Sequence, residues 1–276
     1  MPSSTTALRT PTGAEMPTRE AMRALFAHVS EHCDLPPLPA VAARATVLVR
    51  DPNAKADDLA RLVATDAAIA ARVLRVSRSA VYTRLQPPRT LQEAITTVGF
   101  DVLRRILVVA SARTAYRPND KVAQSLWEHA LATALAADEL AVLAGGQRGG
   151  SDFIAGLLHD VGKLVFHLSA PRVFAGLTDD DEAMEADLFG VTHAAVGACL
   201  AEQWGLDDDV VGGIMSHHRS NVAEISAMGA RLAEADEIVL ELECETPAPD
   251  TSRDEQRVRV AARVADLLAS ERTLFD

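Results

Sequence analysis

Apolar residues recur along this chain at the three-and-four spacing of a helix face, and no two-residue alternation runs long enough to suggest a sheet. Met22, Leu25, Phe26 and Val29 set the pattern early, and similar stripes return as far as the C-terminal segment. Composition agrees with it. The chain is 48% hydrophobic but only 4% aromatic, so its core is built of Ala, Leu and Val rather than of the bulky rings that favour strands. The expected fold is all-α, with roughly a dozen helices and no internal repeat of fixed period.

Punctuation residues divide that pattern. Residues 1–18 are rich in Ser, Thr and Pro and read as a disordered tail. A helix from Arg19 to Glu31 is followed by the break Leu35-Pro-Pro-Leu-Pro39 and a second helix through Val49, which Asp51-Pro52 ends. Short helices are expected from Ala56 to Ala64 and, with Asp66 as N-cap, through Val76. Thr90 caps Leu91 to Val98, Gly99 closes that helix, and Val102 to Ala115 follows.

Arg117-Pro118-Asn119 is taken as the boundary between an N-terminal helical half (19–118) and a helical core (119–240). The core opens with a long helix from about Lys121 to Leu143, ended by Gly145-Gly146 and Gly149-Gly150. Next comes a helix carrying His159 and Asp160, with Ser151 or Asp152 as its cap. Further helices end near Gly190, run from Thr192 to Trp204-Gly205, and span Asp207 to His217 and Ile225 to Leu240. Residues 241–276 form a polar, mobile loop and a last helix, Glu255 to Leu268.

Several function classes are disfavoured. A net charge of -12 argues against a broad surface for nucleic acid, which needs clustered Lys and Arg. Arg72, Arg75, Arg78 and Arg84 form a local basic patch, best read as a solvated helix face. The helix pair before it resembles a helix-turn-helix only loosely, lacking the turn glycine. Cys33, Cys199 and Cys244 lie far apart without a C-x-x-C pair, which fits reduced thiols and neither a disulfide framework nor a zinc knuckle. The N-terminus has no apolar signal region, and the stretch from Ile106 to Ala112 is too short to span a bilayer. A soluble, cytoplasmic protein with no membrane partner is expected.

Histidines carry the chemistry. Six of the eight lie between His129 and His218. His129 sits on an otherwise apolar helix, and the glycine loop after Leu143 allows the His159-Asp160 helix to fold back against it. His193 heads the next long helix, His217-His218 ends the one after, and Asp236 lies one helix further on. Imidazole with carboxylate suits Fe, Mn, Ni, Co or Zn. Adjacent His159 and Asp160 on one helix would project about 100° apart, so Asp160 is placed to reach a second ion that His159 misses. Two ions close together are the usual device for phosphoester hydrolysis. His167, two turns beyond His159, is too far to share an ion, and His28 and His32 make an i, i+4 pair; all three read as structural or solvent-facing.

The order His129, then His159-Asp160 within Ala155-Gly-Leu-Leu-His-Asp-Val-Gly-Lys163, then Asp236 resembles the HD superfamily of metal-dependent phosphohydrolases. Leu35-Pro-Pro-Leu-Pro39, Leu91-Gln-Glu-Ala-Ile-Thr-Thr-Val-Gly-Phe100, the His159-Asp160 run, and His193 through His217-His218 together resemble the HDOD family over about residues 20 to 240. That resemblance implies an HD-type multi-helix bundle with an N-terminal helical subdomain packed on it, serving as a signalling output domain in bacteria without phosphohydrolase activity. The related HD-GYP phosphodiesterases continue after the paired histidines into an Asp-Gly-x-Gly-Tyr-Pro run. This chain reads Arg219-Ser-Asn-Val-Ala-Glu224 there, which argues against cyclic di-GMP hydrolysis.

The expectation is a free-standing regulatory module that meets a signalling protein or a small ligand, with a retained mono- or dinuclear metal site at His129, His159, Asp160, His193, His217, His218 and Asp236. The alternative is a metal-dependent phosphohydrolase of a nucleotide or cyclic dinucleotide, in which Lys163 steadies a phosphate oxygen. A homodimer is compatible with either.

Overall fold

The computed structural model describes residues 27, 44, 48, 51, 53–78, 87–116, 119–146, 150–177, 181–218, 225–243 and 252–275. Every regular element among the described residues is a helix. In chain order these are α1 (Ala56–Val63), α2 (Ala67–Ser77), α3 (Leu91–Val98), α4 (Phe100–Ala115), α5 (Lys121–Leu143), α6 (Ser151–Leu158) and α7 (Val161–Ser169). The rest are α8 (Pro171–Phe174), α9 (Glu182–Phe189), α10 (His193–Gln203), α11 (Asp208–Ser216), α12 (Ala227–Glu243) and α13 (Ser252–Phe275). The tail over 1–18, the Leu35–Pro39 break, His28, His32, Cys33, Arg84, the Arg117-Pro118 step, residues 219–224 and the loop over 244–251 with Cys244 lie outside the described residues. Of the two N-terminal helices, only Ala27, Arg44 and Leu48 are described, each helical.

Side-chain caps explain where many helices start. The Asp66 carboxylate accepts from Ile69 N at 3.0 Å, and the Thr90 hydroxyl accepts from Glu93 N at 3.1 Å. Asp120 accepts from Val122 N and Ala123 N ahead of α5. Asp181 does the same for α9 and Thr192 for α10. Each satisfies a backbone N–H that the first turn leaves without an intrahelical partner. At the other end, Gly190 closes α9 with φ of 78°, a conformation that an L side chain resists.

Two expectations need correction. Neither Ser151 nor Asp152 caps α6: the N-cap is Gly150, without a side-chain bond. Ser151 Oγ instead accepts from Arg104 at 3.2 Å, and Asp152 pairs with Arg231 at 2.6 Å, so both are spent on tertiary links. The second correction concerns His159 and Asp160, which do not share one helix. His159 is the C-cap of α6 and Asp160, with φ of -102° and ψ of 11°, is the N-cap of α7. The His159 ring explains the break. Its Nδ1 donates at 2.7 Å to the Gly156 carbonyl, which in an unbroken helix would serve the Asp160 N–H.

Buried apolar side chains form two clusters. One joins α1, α2, α3 and α4 as far as Leu107, and the other runs from Val108 of α4 through α13. Helix α4 therefore belongs to both, and Arg104 on it reaches across to Asp207 at 2.7 Å, just before α11. Within the larger cluster, small residues set the spacing. A Cβ on Gly156 would sit 2.7 Å from Ala134 Cα, so α5 and α6 pack at backbone distance, with buried Ala130, Ala134 and Ala137 offering little bulk in between. This Ala-rich interface is where the low aromatic content finds its structural use.

Candidate metal centre

Six helices deliver the histidine and aspartate side chains to one place. His129 comes from α5, His159 and Asp160 from the α6–α7 junction, His193 from the first position of α10, His217 and His218 from the end of α11, and Asp236 from α12. All seven side chains singled out in the sequence meet. The ligand atoms of His129, His159 and Asp160 lie within 4.8 Å of one another, as do those of Asp160, His193, His217 and His218, so Asp160 belongs to both sets. Asp236 Oδ1 is 2.9 Å from His129 Nε2 and 3.6 Å from His159 Nε2, alongside the first set.

The rings are held from behind. His159 Nδ1 donates to the Gly156 carbonyl, and His217 Nδ1 donates to the Ile214 carbonyl at 2.6 Å. Both carbonyls belong to the last turn of a helix, where acceptors lack intrahelical partners. His193 Nδ1 lies 2.7 Å and 2.8 Å from the two Glu185 carboxylate oxygens, and Glu185 also accepts from the His193 backbone N at 2.7 Å. With Nδ1 bonded to these acceptors, each ring turns its Nε2 toward the centre, which is how a ligating histidine is normally oriented.

Burial makes that arrangement costly without an ion. The side chains of His159, His193 and His217 are 0% exposed. His159 Nε2, His217 Nε2, Asp160 Oδ1 and Asp236 Oδ1 are buried and make no hydrogen bond of good geometry. Such atoms are expensive to bury unsatisfied. Four of them converging from histidine and aspartate fit a divalent transition ion, whose ligands are imidazole nitrogen and carboxylate oxygen.

Charges compensate in part. Burial would raise the Asp160 pKa, but His159, Lys163, His217 and His193 hold it well below the usual carboxylate range. Burial pushes His193 down to about 3, against the pull of Asp160, so its ring is neutral. Since its Nδ1 proton faces Glu185, its Nε2 accepts from His218 Nε2 at 2.9 Å. His129 goes the other way: burial opposes its charge, but Asp236, Glu243 and Asp160 push its pKa up to about 10. His217 is also raised, burial being outweighed by Asp160 and the Ile214 carbonyl. Asp236 is lowered, its own burial being overcome by His129 and His159.

Lys163 Nζ lies 2.8 Å from Asp160 Oδ2, on the same side as His129 Nε2 at 3.7 Å from that oxygen. His167 lies apart, its Nε2 2.7 Å from the Asp120 carboxylate that caps α5, so it braces the start of the His129 helix. Sequence patterns did not single out Glu185 or Glu243, whose Oε1 is 3.3 Å from His129 Nδ1. Both are glutamates on helices of an acidic chain, and only the fold distinguishes them from solvated neighbours.

A family model for the HDOD domain matches residues 35–220. The chain belongs to the HDOD family. Its fold is that of solved all-helical relatives. An HDOD domain protein of unknown function from Geobacter sulfurreducens is 25% identical, with a TM-score of 0.64 over 93% of this chain and 96% of that one. A Shewanella amazonensis protein provisionally described as a phosphohydrolase is 25% identical, with a TM-score of 0.68 over 91% and 95%. An uncharacterized protein of Treponema pallidum is 27% identical over 249 residues, 83% of this HDOD chain, which spans 48% of that relative's length. Among the described residues no helix is long and apolar enough to cross a membrane.

Proposed function

We propose that this HDOD protein is a bacterial signal-transduction output module that acts on a protein partner, and that a transition metal at the histidine–aspartate centre fixes its helix arrangement. The observation that carries the reading is the burial of a convergent ligand set drawn from six helices. When the ligands of one ion come from separate helices, the free energy of binding becomes free energy of holding those helices together. Membership in the HDOD family supports a regulatory role. The donors suit Fe, Mn, Ni, Co or Zn, and the place of Asp160 in both sets serves one ion or two. A cytoplasmic location accords with the thiol of Cys199, which is buried and unpaired.

Elemental analysis of protein purified without added metal should find a stoichiometric transition metal. Affinity capture with metal-loaded and chelator-stripped protein should then retain a specific partner in one state only. Identical captures by both forms, or a preparation that takes up no metal, would remove the reading.

The dual membership of Asp160 favours a second reading, a phosphohydrolase of a nucleotide or cyclic dinucleotide. Paired ions bridged by a carboxylate supply an activated water and positive charge for the leaving oxygen. In this chain Asp160 is the anion common to both ligand sets, and Lys163, 16% exposed beside it, offers a cation to a phosphate oxygen. A nucleotide panel with Mn, Fe, Ni or Zn decides it: turnover by the wild type no greater than by His159→Ala, Asp160→Ala protein excludes hydrolysis.

A further inference from the structure

Helix α4 sends a cation across to two helices of the core. Arg104, 12% exposed, donates through Nη1 to Asp207 Oδ2 at 2.7 Å and through Nη2 to Ser151 Oγ at 3.2 Å. The two acceptors stand at the starts of different helices, Ser151 at the first position of α6 and Asp207 at the N-cap of α11. Asp207 makes no capping bond to its own helix. Helix dipoles oppose a cation beside an N-terminus, so this contact is not one that α6 and α11 select for themselves. It suits a planar fork that holds two elements in one register.

The opposite ends of the same two helices carry candidate ligands. His159 is the C-cap of α6 and His217 the C-cap of α11. At 1.5 Å per residue, these rings follow the Arg104 acceptors by about 12 Å along α6 and about 15 Å along α11. The two helices pack on each other, and α10 is wedged against both: a Cβ on Gly197 would meet Ile214 Cγ2 at 3.1 Å and the Leu158 carbonyl oxygen at 3.3 Å. A core packed this closely transmits strain rather than absorbing it. On the far side of Arg104, Leu103, Ile106 and Leu107 of α4 are buried with Leu59 of α1, Val73 of α2 and Ile95 of α3.

We propose that Arg104 couples the candidate metal centre to α1–α3. Closure of the ligand set fixes the C-terminal ends of α6 and α11, and their N-terminal ends pass that order through one guanidinium to α4 and the helices packed on it. The coupling rests on an ion occupying the centre, and it makes α1–α3 the part of the module whose order reports that occupancy.

Hydrogen exchange of the full chain tests it, with protein chelator-stripped and then loaded with Mn, Fe, Ni, Co and Zn in turn. In the wild type, metal should slow exchange in α10 and α11, which reports binding. It should also slow exchange in α1–α3 by about fivefold or more, the lower end of usual coupling between sites. Arg104→Lys keeps the charge but cannot grip both acceptors, so it should keep the α10 and α11 response and lose that of α1–α3. Ser151→Ala removes one acceptor, should diminish the α1–α3 response, and decides the matter if Arg104→Lys does not fold. Arg231→Ala breaks a different link to the start of α6, the 2.6 Å pair with Asp152, and should leave the α1–α3 response in place. Its loss there too would mean that any loosening of α6 suffices and would overturn the role of Arg104. General stabilisation by the ion, or a route through α13, which packs on α2 as well as on α5 and α12, would leave the response intact in Arg104→Lys and Ser151→Ala and would equally overturn it. A response in α10 and α11 without one in α1–α3 defeats the coupling alone, whereas no response to any of the metals removes the metal reading with it.

Discussion

At the scale of single residues, the candidate metal centre depends on which ring nitrogen holds the proton. His159 and His217 are set by helix-end carbonyls, whereas His193 depends on one buried carboxylate, Glu185. Glu185→Ala should therefore lower metal affinity by roughly 10–100-fold, the usual cost of removing such an outer partner, with Glu185→Gln retaining part of it. Competition against a fluorescent chelator measures both. The metal-free protein should also show two opposed pH effects. His129 has a pKa raised from 6.5 to about 10, so the folded state gains from its proton: that stability is complete below about 6.5 and is lost as pH rises through about 10. His193 is lowered to about 3, so the unfolded chain takes its proton first, and folded stability falls as pH drops below 6.5 toward 3. Urea midpoints across pH on chelator-treated protein should peak between these limbs, and a flat profile would contradict both assignments.

Elements place those residues through their ends. His159 and His217 each follow the last turn of a helix, His193 begins one, and Asp160 separates two. Helix ends expose unpaired carbonyls and free the chain to turn, so they can orient an imidazole and still redirect the backbone. Close approach is the other requirement. A Cβ on Gly162 would meet the His193 carbonyl oxygen at 2.1 Å and its Cα at 2.7 Å, so only glycine lets the start of α7 lie against the start of α10. Gly162→Ala should destabilise the fold by about 3 kcal/mol or more, since backbone atoms cannot swing aside as a flexible side chain would. Thermal melts in the presence of chelator isolate that effect from metal binding. Helix existence and most caps were legible from Thr90, Asp66, Thr192 and Gly190. The break at His159 was not, because it depends on a ring-to-carbonyl bond that no propensity encodes.

Over the whole molecule, the two apolar clusters share α4, and the candidate metal centre lies within the larger one. An ion bound there ties α5, the α6–α7 junction, α10, α11 and α12. At a free concentration one hundred times its dissociation constant, it should add about 2.7 kcal/mol. At about 2–4 °C per kcal/mol for a chain of this size, the melting temperature should rise by roughly 5–10 °C and fall back on chelation. A melting temperature indifferent to Mn, Fe, Ni, Co and Zn would show that the centre holds none of them.

Sequence alone determined the all-helical class, through apolar periodicity and caps, and it named His129, His159, Asp160, His193, His217, His218 and Asp236 as candidates, because ligating residue types are few and their order along successive helices is a local fact. Tertiary structure decided that Asp160 stands in both ligand sets, that Lys163 lies against its carboxylate, and that Glu185 and Glu243 support the histidines. Those relations join residues far apart in the chain, and the proton on each ring is fixed by whichever acceptor the packing brings behind it.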